Sequence, residues 1–130
     1  MNDNPKGLTI TGWVLTVPLA LLLAFSATMK FISPKELTDE FVGRLGYPEG
    51  IALSIGIVEL GCLIIYLIPK TAVLGAILLT GYLGGAIATH VRVSDPFIPP
   101  LIVGIVVWFA LFLRDPRLRT LIPLRRAAAA

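Results

Sequence analysis

The sequence predicts an all-α fold: a membrane-spanning, antiparallel four-helix bundle with a short amphipathic helix between spans 1 and 2. Hydrophobic residues make up 56% of the 130 residues and charged residues only 15%, whereas soluble proteins carry about 25% charged residues. The mean hydropathy is +0.88. Four apolar runs approach the length of about 20 residues that crosses a bilayer. Proline, glycine and charged residues separate these runs, and the whole chain, residues 1–130, is expected to form a single domain.

The four spans are predicted at about residues 10–29, 50–68, 71–92 and 97–113. Span 1 could also be read as a cleaved signal peptide, because Ala24-Phe25-Ser26 follows an apolar core and resembles a cleavage site. We expect the span to be retained, since the only lysine before it, Lys6, is offset by Asp3.

The third span has three distinct sides when it is drawn as a helix. Small residues that would let a neighbouring helix approach closely share one side: Gly81, Gly84, Gly85 and Ala88. The adjoining side carries Tyr82, Ala86, Thr89 and His90. The remaining arc is predicted to face lipid and contains Val73, Ala76, Leu83, Ile87 and Val91. The span is therefore expected to form the wall of a site inside a bundle.

Residues 34–45 predict a short amphipathic helix. Ser33 is expected to cap it, with Pro34 in the first helical position and Glu36 three residues after the cap. Apolar residues then recur every four positions, at Leu37, Phe41 and Leu45. The segment is too short and polar to span a bilayer, so it should lie at the membrane surface or cover the mouth of the bundle.

The distribution of basic residues predicts the orientation. Four spans put both termini on one side, where seven basic residues gather, and four basic residues lie on the other side. Because cytoplasmic loops are enriched in Lys and Arg, both termini are predicted to be cytoplasmic, in a bacterial-type inner membrane. The tail, residues 114–130, is basic and is expected to be loosely held on the surface.

Glu59 is the residue that most needs an explanation, because a mid-span acid costs ~2–3 kcal/mol even on lenient insertion scales. Its depth matches that of Tyr82, and Lys30 and His90 end their spans on the same side. A polar pocket for a ligand or for proton transfer is therefore predicted from Ser26, Lys30, Glu59, Tyr82, Thr89 and His90, with Arg92 or Lys30 holding a negative group. A structural alternative is an ion pair between Glu59 and Lys30 that only locks two helices together.

Several classes of site are excluded by the sequence. The single cysteine, Cys62, excludes an intrachain disulfide and a multi-cysteine metal site. The single histidine excludes a bis-histidine haem site within one chain, and neither a His-x-x-x-His pair nor a phosphate-binding loop is present. No metal site is expected, no catalytic signature is visible, and the basic residues are not arranged to bind nucleic acid.

Four motifs together resemble the DoxX-like family of small four-span membrane proteins. They are Phe25-Ser26-x-x-x-Lys30, Gly56-x-x-Glu59-x-Gly61, Gly84-Gly85-Ala86-x-x-Thr89-His90-x-Arg92 and Arg114-Asp115-Pro116-Arg117. The namesake of the family is a subunit of a membrane thiosulfate:quinone oxidoreductase, and relatives accompany quinone, catechol and thiol-stress systems. The resemblance thus implies a redox or quinone-linked role, for which a quinone is the candidate cofactor, and the positions carried over are Lys30, Glu59 and His90.

Three functions are compatible with these patterns. The leading hypothesis is a small subunit of a quinone- or thiol-linked redox assembly with a polar pocket in the outer half of the bundle. The second is a non-catalytic accessory subunit that docks onto a larger membrane protein complex. The third is a small-solute transporter, which would require oligomerisation. The expected partners are the lipid bilayer and other membrane subunits or further copies of the chain.

Overall fold

Every regular element that the structure describes is helical, as the sequence predicts. The structure is a computed structural model, and it describes residues 4–127. Five α-helices follow one another: α1 (Lys6–Ile32), α2 (Lys35–Asp39), α3 (Ile51–Leu67), α4 (Ala72–Arg92) and α5 (Ile98–Arg114). A π-helical turn at Glu40–Arg44 extends α2, and 3-10 turns lie at Pro69–Thr71 and Leu118–Thr120.

The four long helices pack around one apolar core. Helix α1 lies against α3 and α5, and α4 lies against the same two helices. The core between them is made by residues such as Leu19, Leu23, Leu63, Tyr66, Leu79, Val107 and Leu111. Large apolar side chains also cover the outside of the bundle, including Leu21, Phe25, Ile57 and Ile105, each more than half exposed.

Among the residues that the structure describes, two helical segments are long and apolar enough to cross a membrane, Lys6–Ile32 and Pro69–Arg92. They contain the predicted spans 1 and 3. The helices that correspond to spans 2 and 4, Ile51–Leu67 and Ile98–Arg114, are apolar but shorter, at 17 residues each.

The residues before α1 and after α5 are packed together at one end of the bundle. At this end, Asn4 Nδ2 donates to the carbonyl oxygens of Leu113 and Arg114, at 2.8 and 3.1 Å, so the start of α1 is tied to the end of α5. Leu118 is buried in the core, only 5% exposed. The expectation of a loosely held tail is therefore wrong for this turn, because the turn contributes a core side chain. Residues 128–130 of the predicted tail lie outside the described residues.

The segment between α1 and α3 differs from the predicted amphipathic helix at its start. Ser33 adopts a left-handed conformation (φ 47°) that ends α1, and its hydroxyl donates to the Lys30 carbonyl oxygen at 2.5 Å. It does not cap α2, whose N-cap position is Pro34. The predicted apolar face is present, because Phe41 and Leu45 are buried.

Helix α4 is rotated relative to the prediction. Ala76 and Leu83 were expected to face lipid, but they are 0% and 5% exposed. The side that approaches a neighbour closely is the one with Gly75, where a Cβ atom would overlap the Tyr66 backbone. Small residues lie on more than one side of this helix, so their pattern alone does not identify the inward side.

The glycines predicted to pack against another helix have no such neighbour among residues 4–127. Apart from the adjacent backbone of α4 itself, no heavy atom of these residues lies within 4 Å of the positions where Cβ atoms of Gly81, Gly84 and Gly85 would be. Ala88 is exposed. These residues therefore leave open space beside α4.

Candidate functional site

A cavity of about 680 Å³ lies between the four long helices, at the end of the bundle where α1 and α4 end and α3 and α5 begin. The six residues predicted to form a polar pocket all line it: Ser26, Lys30, Glu59, Tyr82, Thr89 and His90. The structure thus brings residues from three helices together in one place. Arg92, the seventh predicted site residue, does not line this cavity.

The polar centre of the cavity is an ion pair between α1 and α3. Lys30 Nζ donates to Glu59 Oε2 at 2.8 Å. The same ammonium donates to Ser26 Oγ at 2.6 Å. Glu59 is 1% exposed, so its charge depends on Lys30 rather than on water. Tyr82 lines the cavity close to this carboxylate.

A glycine makes room for the lysine side chain. A Cβ atom at Gly56, one helical turn before Glu59, would lie 2.9 Å from Lys30 Cβ and 3.3 Å from the Ala27 carbonyl oxygen. Both distances are shorter than an ordinary carbon contact of about 3.5–4.0 Å. Helices α1 and α3 can therefore approach closely enough for the ion pair only because residue 56 has no side chain.

A second polar group lies where α4 ends. His90 Nδ1 is 2.7 Å from the Ala86 carbonyl oxygen. A carbonyl oxygen only accepts hydrogen bonds, so Nδ1 carries the hydrogen and Nε2 is the nitrogen that can take up a proton. The Thr89 hydroxyl donates to the Gly85 carbonyl oxygen at 2.9 Å. The Tyr47 hydroxyl, 2.6 Å from Thr89 Oγ1, therefore donates to it.

The segment after α2 forms a roof over the cavity and is fixed to α4 by charged groups. Glu40, Phe41, Leu45 and Tyr47 line the cavity from this segment. Arg92, the last residue of α4, holds the roof in place. Its guanidinium donates to the Leu45 carbonyl oxygen and lies 5.7 Å from the centre of the Tyr47 ring. Arg44 binds both Glu40 and Asp95. Arg92 is thus engaged by the protein itself.

The DoxX-like family model matches residues 14–112, which is most of the chain. The chain belongs to the DoxX-like family. Its two long apolar helices agree with this assignment, and the chain is a DoxX-like membrane protein. No curated protein and no solved structure matches it significantly.

The six predicted polar residues in the cavity of this DoxX-like protein all lie inside the matched region. The apolar lining contributed by the four long helices was not predicted: Leu22, Leu23, Ile55, Val58, Leu83, Pro99, Pro100 and Val103. Several of these residues lie three or four positions from Ser26 or Glu59. That spacing places them on the same helix face and was the signal available for finding them. Tyr47 and Glu40 carried no such signal, because they reach the cavity through a turn whose path the sequence does not define.

The site of this DoxX-like protein combines apolar walls with a few grouped polar atoms. Such a composition and a volume between about 300 and 1,000 Å³ are typical of sites for small organic ligands. The paired charges of Lys30 and Glu59 cancel, so the cavity suits a neutral molecule with polar atoms at one end. Among the described residues, no group of three or more His, Cys, Asp or Glu side chains could hold a metal ion.

Proposed function

We propose that all four long helices cross the cytoplasmic membrane as an antiparallel bundle with both termini in the cytoplasm. The large apolar side chains on the outside of the bundle support this, because lipid is the solvent they suit. The helices of 17 residues are about 26 Å long. They come close to the ~30 Å of the hydrocarbon core and need only slight local thinning of the bilayer.

We further propose that the protein is a small subunit of a quinone- or thiol-linked redox assembly and binds a quinone-like molecule in the cavity beneath the roof. The observation that carries this proposal is the position of the Lys30–Glu59 pair at the wall of an otherwise apolar cavity. A quinone offers matching chemistry: a flat apolar ring and carbonyl oxygens that accept hydrogen bonds.

Each polar group has a defined part in this proposal. Lys30 Nζ donates to a ligand oxygen in place of the Ser26 carbonyl oxygen, to which it now donates at 3.3 Å. The Tyr82 hydroxyl lies in the same part of the wall. Glu59 and His90 exchange protons with the ligand, His90 through Nε2. Electrons come from a partner subunit of the assembly, so the role of this chain is to bind the ligand and to move protons.

The Glu59→Gln variant tests this proposal. Glutamine keeps the size of the side chain and an oxygen that accepts from Lys30, but it can neither carry the charge nor pass a proton. Binding of a short-chain benzoquinone to purified protein in lipid nanodiscs is measured beside thermal unfolding. We expect the variant to insert and fold while quinone binding falls by at least about tenfold. Without the carboxylate, the ammonium of Lys30 that donates the charge-assisted hydrogen bond to the ligand is no longer stabilised in the apolar wall. Unchanged quinone binding would contradict the proposal and leave the ion pair as a lock between α1 and α3.

A further inference from the structure

A second cation, the half-buried Arg114, lies at the opposite end of the bundle from the cavity under the roof. It is the last residue of α5. Its guanidinium carbon lies 4.3 Å from the centre of the Trp13 ring and 5.0 Å from the centre of the Tyr66 ring. Both distances are within the range of about 6 Å over which a cation is attracted by an aromatic face. The side chain is therefore held in one place by two rings.

The backbone of α1 is shaped around this arginine. A Cβ atom at Gly12 would overlap Arg114 Cγ and would lie 2.9 Å from the Ala110 carbonyl oxygen. Residue 12 thus provides the slot through which the arginine stem passes. Two rings and a glycine slot hold the guanidinium in position, as a binding site for an anion requires.

The guanidinium is not satisfied by the described part of the chain. Nε and Nη2 of Arg114 are buried and have no hydrogen-bond partner among residues 4–127. The neighbouring acid is already engaged, because Asp115 accepts from Arg117 Nε at 3.1 Å and from Arg117 Nη2 at 3.0 Å. A guanidinium without a hydrogen-bond partner or an acidic partner is rare in proteins, and its positive charge is left for an anion to balance.

A second cavity, of about 340 Å³, opens at this point. Its polar lining is Arg114, Asp115 and Arg117, and Trp13 and Leu111 lie among its apolar walls. We propose that this cavity is a binding site for a phosphate group, with Arg114 as the principal donor. The planar guanidinium matches the spacing of phosphate oxygens, and a phosphate supplies the negative charge that the arginine lacks.

Two sources can supply this phosphate, an anionic lipid headgroup or free inorganic phosphate. The cavity lies at the end of the bundle that carries the chain termini, where a headgroup would be found beside a spanning helix. The proposal does not depend on the function of the other cavity, since the two share no lining residue.

Fluorescence of Trp13 reports on this site directly, because its ring stacks on Arg114. The chain has two tryptophans, so the measurement uses a Trp108→Phe background. One arm transfers the protein from phosphatidylcholine nanodiscs into nanodiscs that contain phosphatidylglycerol. The other arm adds inorganic phosphate to protein in neutral detergent, against sodium chloride at equal ionic strength. Native mass spectrometry of the wild type records any phospholipid that remains bound.

The same two arms are repeated with Arg114→Gln. The matched control is Arg125→Gln, which removes the same charge from an exposed residue of the same end. A second control is Asp3→Asn. Asp3 lies just before Asn4, outside the described residues, and this variant tests whether its carboxylate balances the charge of Arg114. We expect a saturable change in Trp13 fluorescence that weakens at least about tenfold in Arg114→Gln and stays within about twofold of the wild type in both controls.

The arms identify the source of the phosphate. A response to phosphatidylglycerol alone assigns the site to a lipid headgroup, and a response to inorganic phosphate assigns it to the free ion. The proposal is overturned if neither probe changes the fluorescence, if Arg114→Gln responds as the wild type does, or if a response appears only in Asp3→Asn. Should Arg114→Gln fail to fold, the wild type alone tests the proposal. The proposal is then overturned if mass spectrometry finds no bound phospholipid and Trp13 fluorescence is the same in phosphate as in chloride.

Discussion

Two half-buried cations, Lys30 near one end of the bundle and Arg114 near the other, have their charges balanced in different ways. Lys30 forms an ion pair with Glu59 at 2.8 Å and lines the larger cavity. Arg114 lies between two aromatic rings, and two of its nitrogens have no hydrogen-bond partner within the described residues. Each has its own slot glycine, Gly56 for the lysine and Gly12 for the arginine. Both side chains thus pass a helix at a glycine, but the charge of Lys30 is balanced by a carboxylate and that of Arg114 is not.

This difference indicates what each end can bind. At the lysine end the charges cancel inside the protein, so the larger cavity suits a neutral ligand with a polar end. At the arginine end the positive charge is left for something outside the described chain to balance, which suits an anion. Moving a charge into low dielectric costs several kcal/mol, so each arrangement needs its own source of stabilisation.

Removing one member of the ion pair should have the largest effect on stability. Glu59→Leu leaves Lys30 without its partner, and we expect a loss of ~3 kcal/mol or more in the free energy of unfolding, since breaking a buried pair costs ~3–5 kcal/mol. Denaturation of the purified protein in detergent measures it. The matched control is the double variant Lys30→Met, Glu59→Leu, which should recover most of the loss. A double variant as unstable as the single one would show that the residues are not coupled.

The slot glycines provide a sharper comparison of the two ends. Gly12→Ala should lose stability, by ~1–3 kcal/mol as expected for overpacking, because the methyl group would meet Arg114 and the Ala110 backbone. Gly56→Ala should lose less, since Lys30 Cβ is 2.9 Å away and the nearest backbone oxygen 3.3 Å. Gly84→Ala serves as the control in open space and should gain up to ~1 kcal/mol from helix propensity. The melting temperatures of the three variants, measured by thermal unfolding, give their order of stability. Equal melting temperatures would show that Gly12 and Gly56 are not needed to make room for the two cations.

The smallest effect is expected from acid at the arginine end. Burial raises the pKa of the Asp115 carboxyl, but hydrogen bonds from Arg117 and the charges of Arg117 and Arg119 outweigh it, so the pKa lies below its usual value. A lowered pKa in the folded protein stabilises it above the ordinary pKa of about 3.9. This contribution is lost as the pH falls through the folded-state pKa. Asp115→Asn should therefore lower the melting temperature at pH 7 and make no difference in strong acid. An equal difference at both pH values would contradict this.

The sequence was sufficient for the helical class and for the positions of most helices. Long apolar runs separated by proline, glycine and charged residues leave few alternatives. The rotation of α4 was predicted wrongly, because Gly75, Gly81 and Gly84 look alike in a sequence and only contact with Tyr66 shows which side faces inward. The role of Ser33 was also wrong, since a serine before proline fits a helix start as well as the end of the preceding helix.

The polar centre of the larger cavity could be predicted because a mid-span acid is costly and must find a partner. Glu59 and Lys30 are therefore recognisable from their types and depths alone. The roof contact of Tyr47 and the surroundings of Arg114 could not be predicted. They depend on the path of a turn and on which aromatic rings meet, and neither is defined by hydropathy or spacing.

The most direct test of the account closes the larger cavity without touching its charges. Gly85 lines the cavity and Gly84 does not. In the described part of the chain, no atom beyond the adjacent backbone of α4 lies within 4 Å of a Cβ position at either residue. Gly85→Leu should thus fill the cavity, and Gly84→Leu should place the same side chain outside it. Equilibrium binding of a short-chain benzoquinone to both variants in nanodiscs is compared with the wild type. The account predicts that Gly85→Leu binds at least about tenfold more weakly while Gly84→Leu binds as the wild type does; equal binding by all three proteins would contradict it.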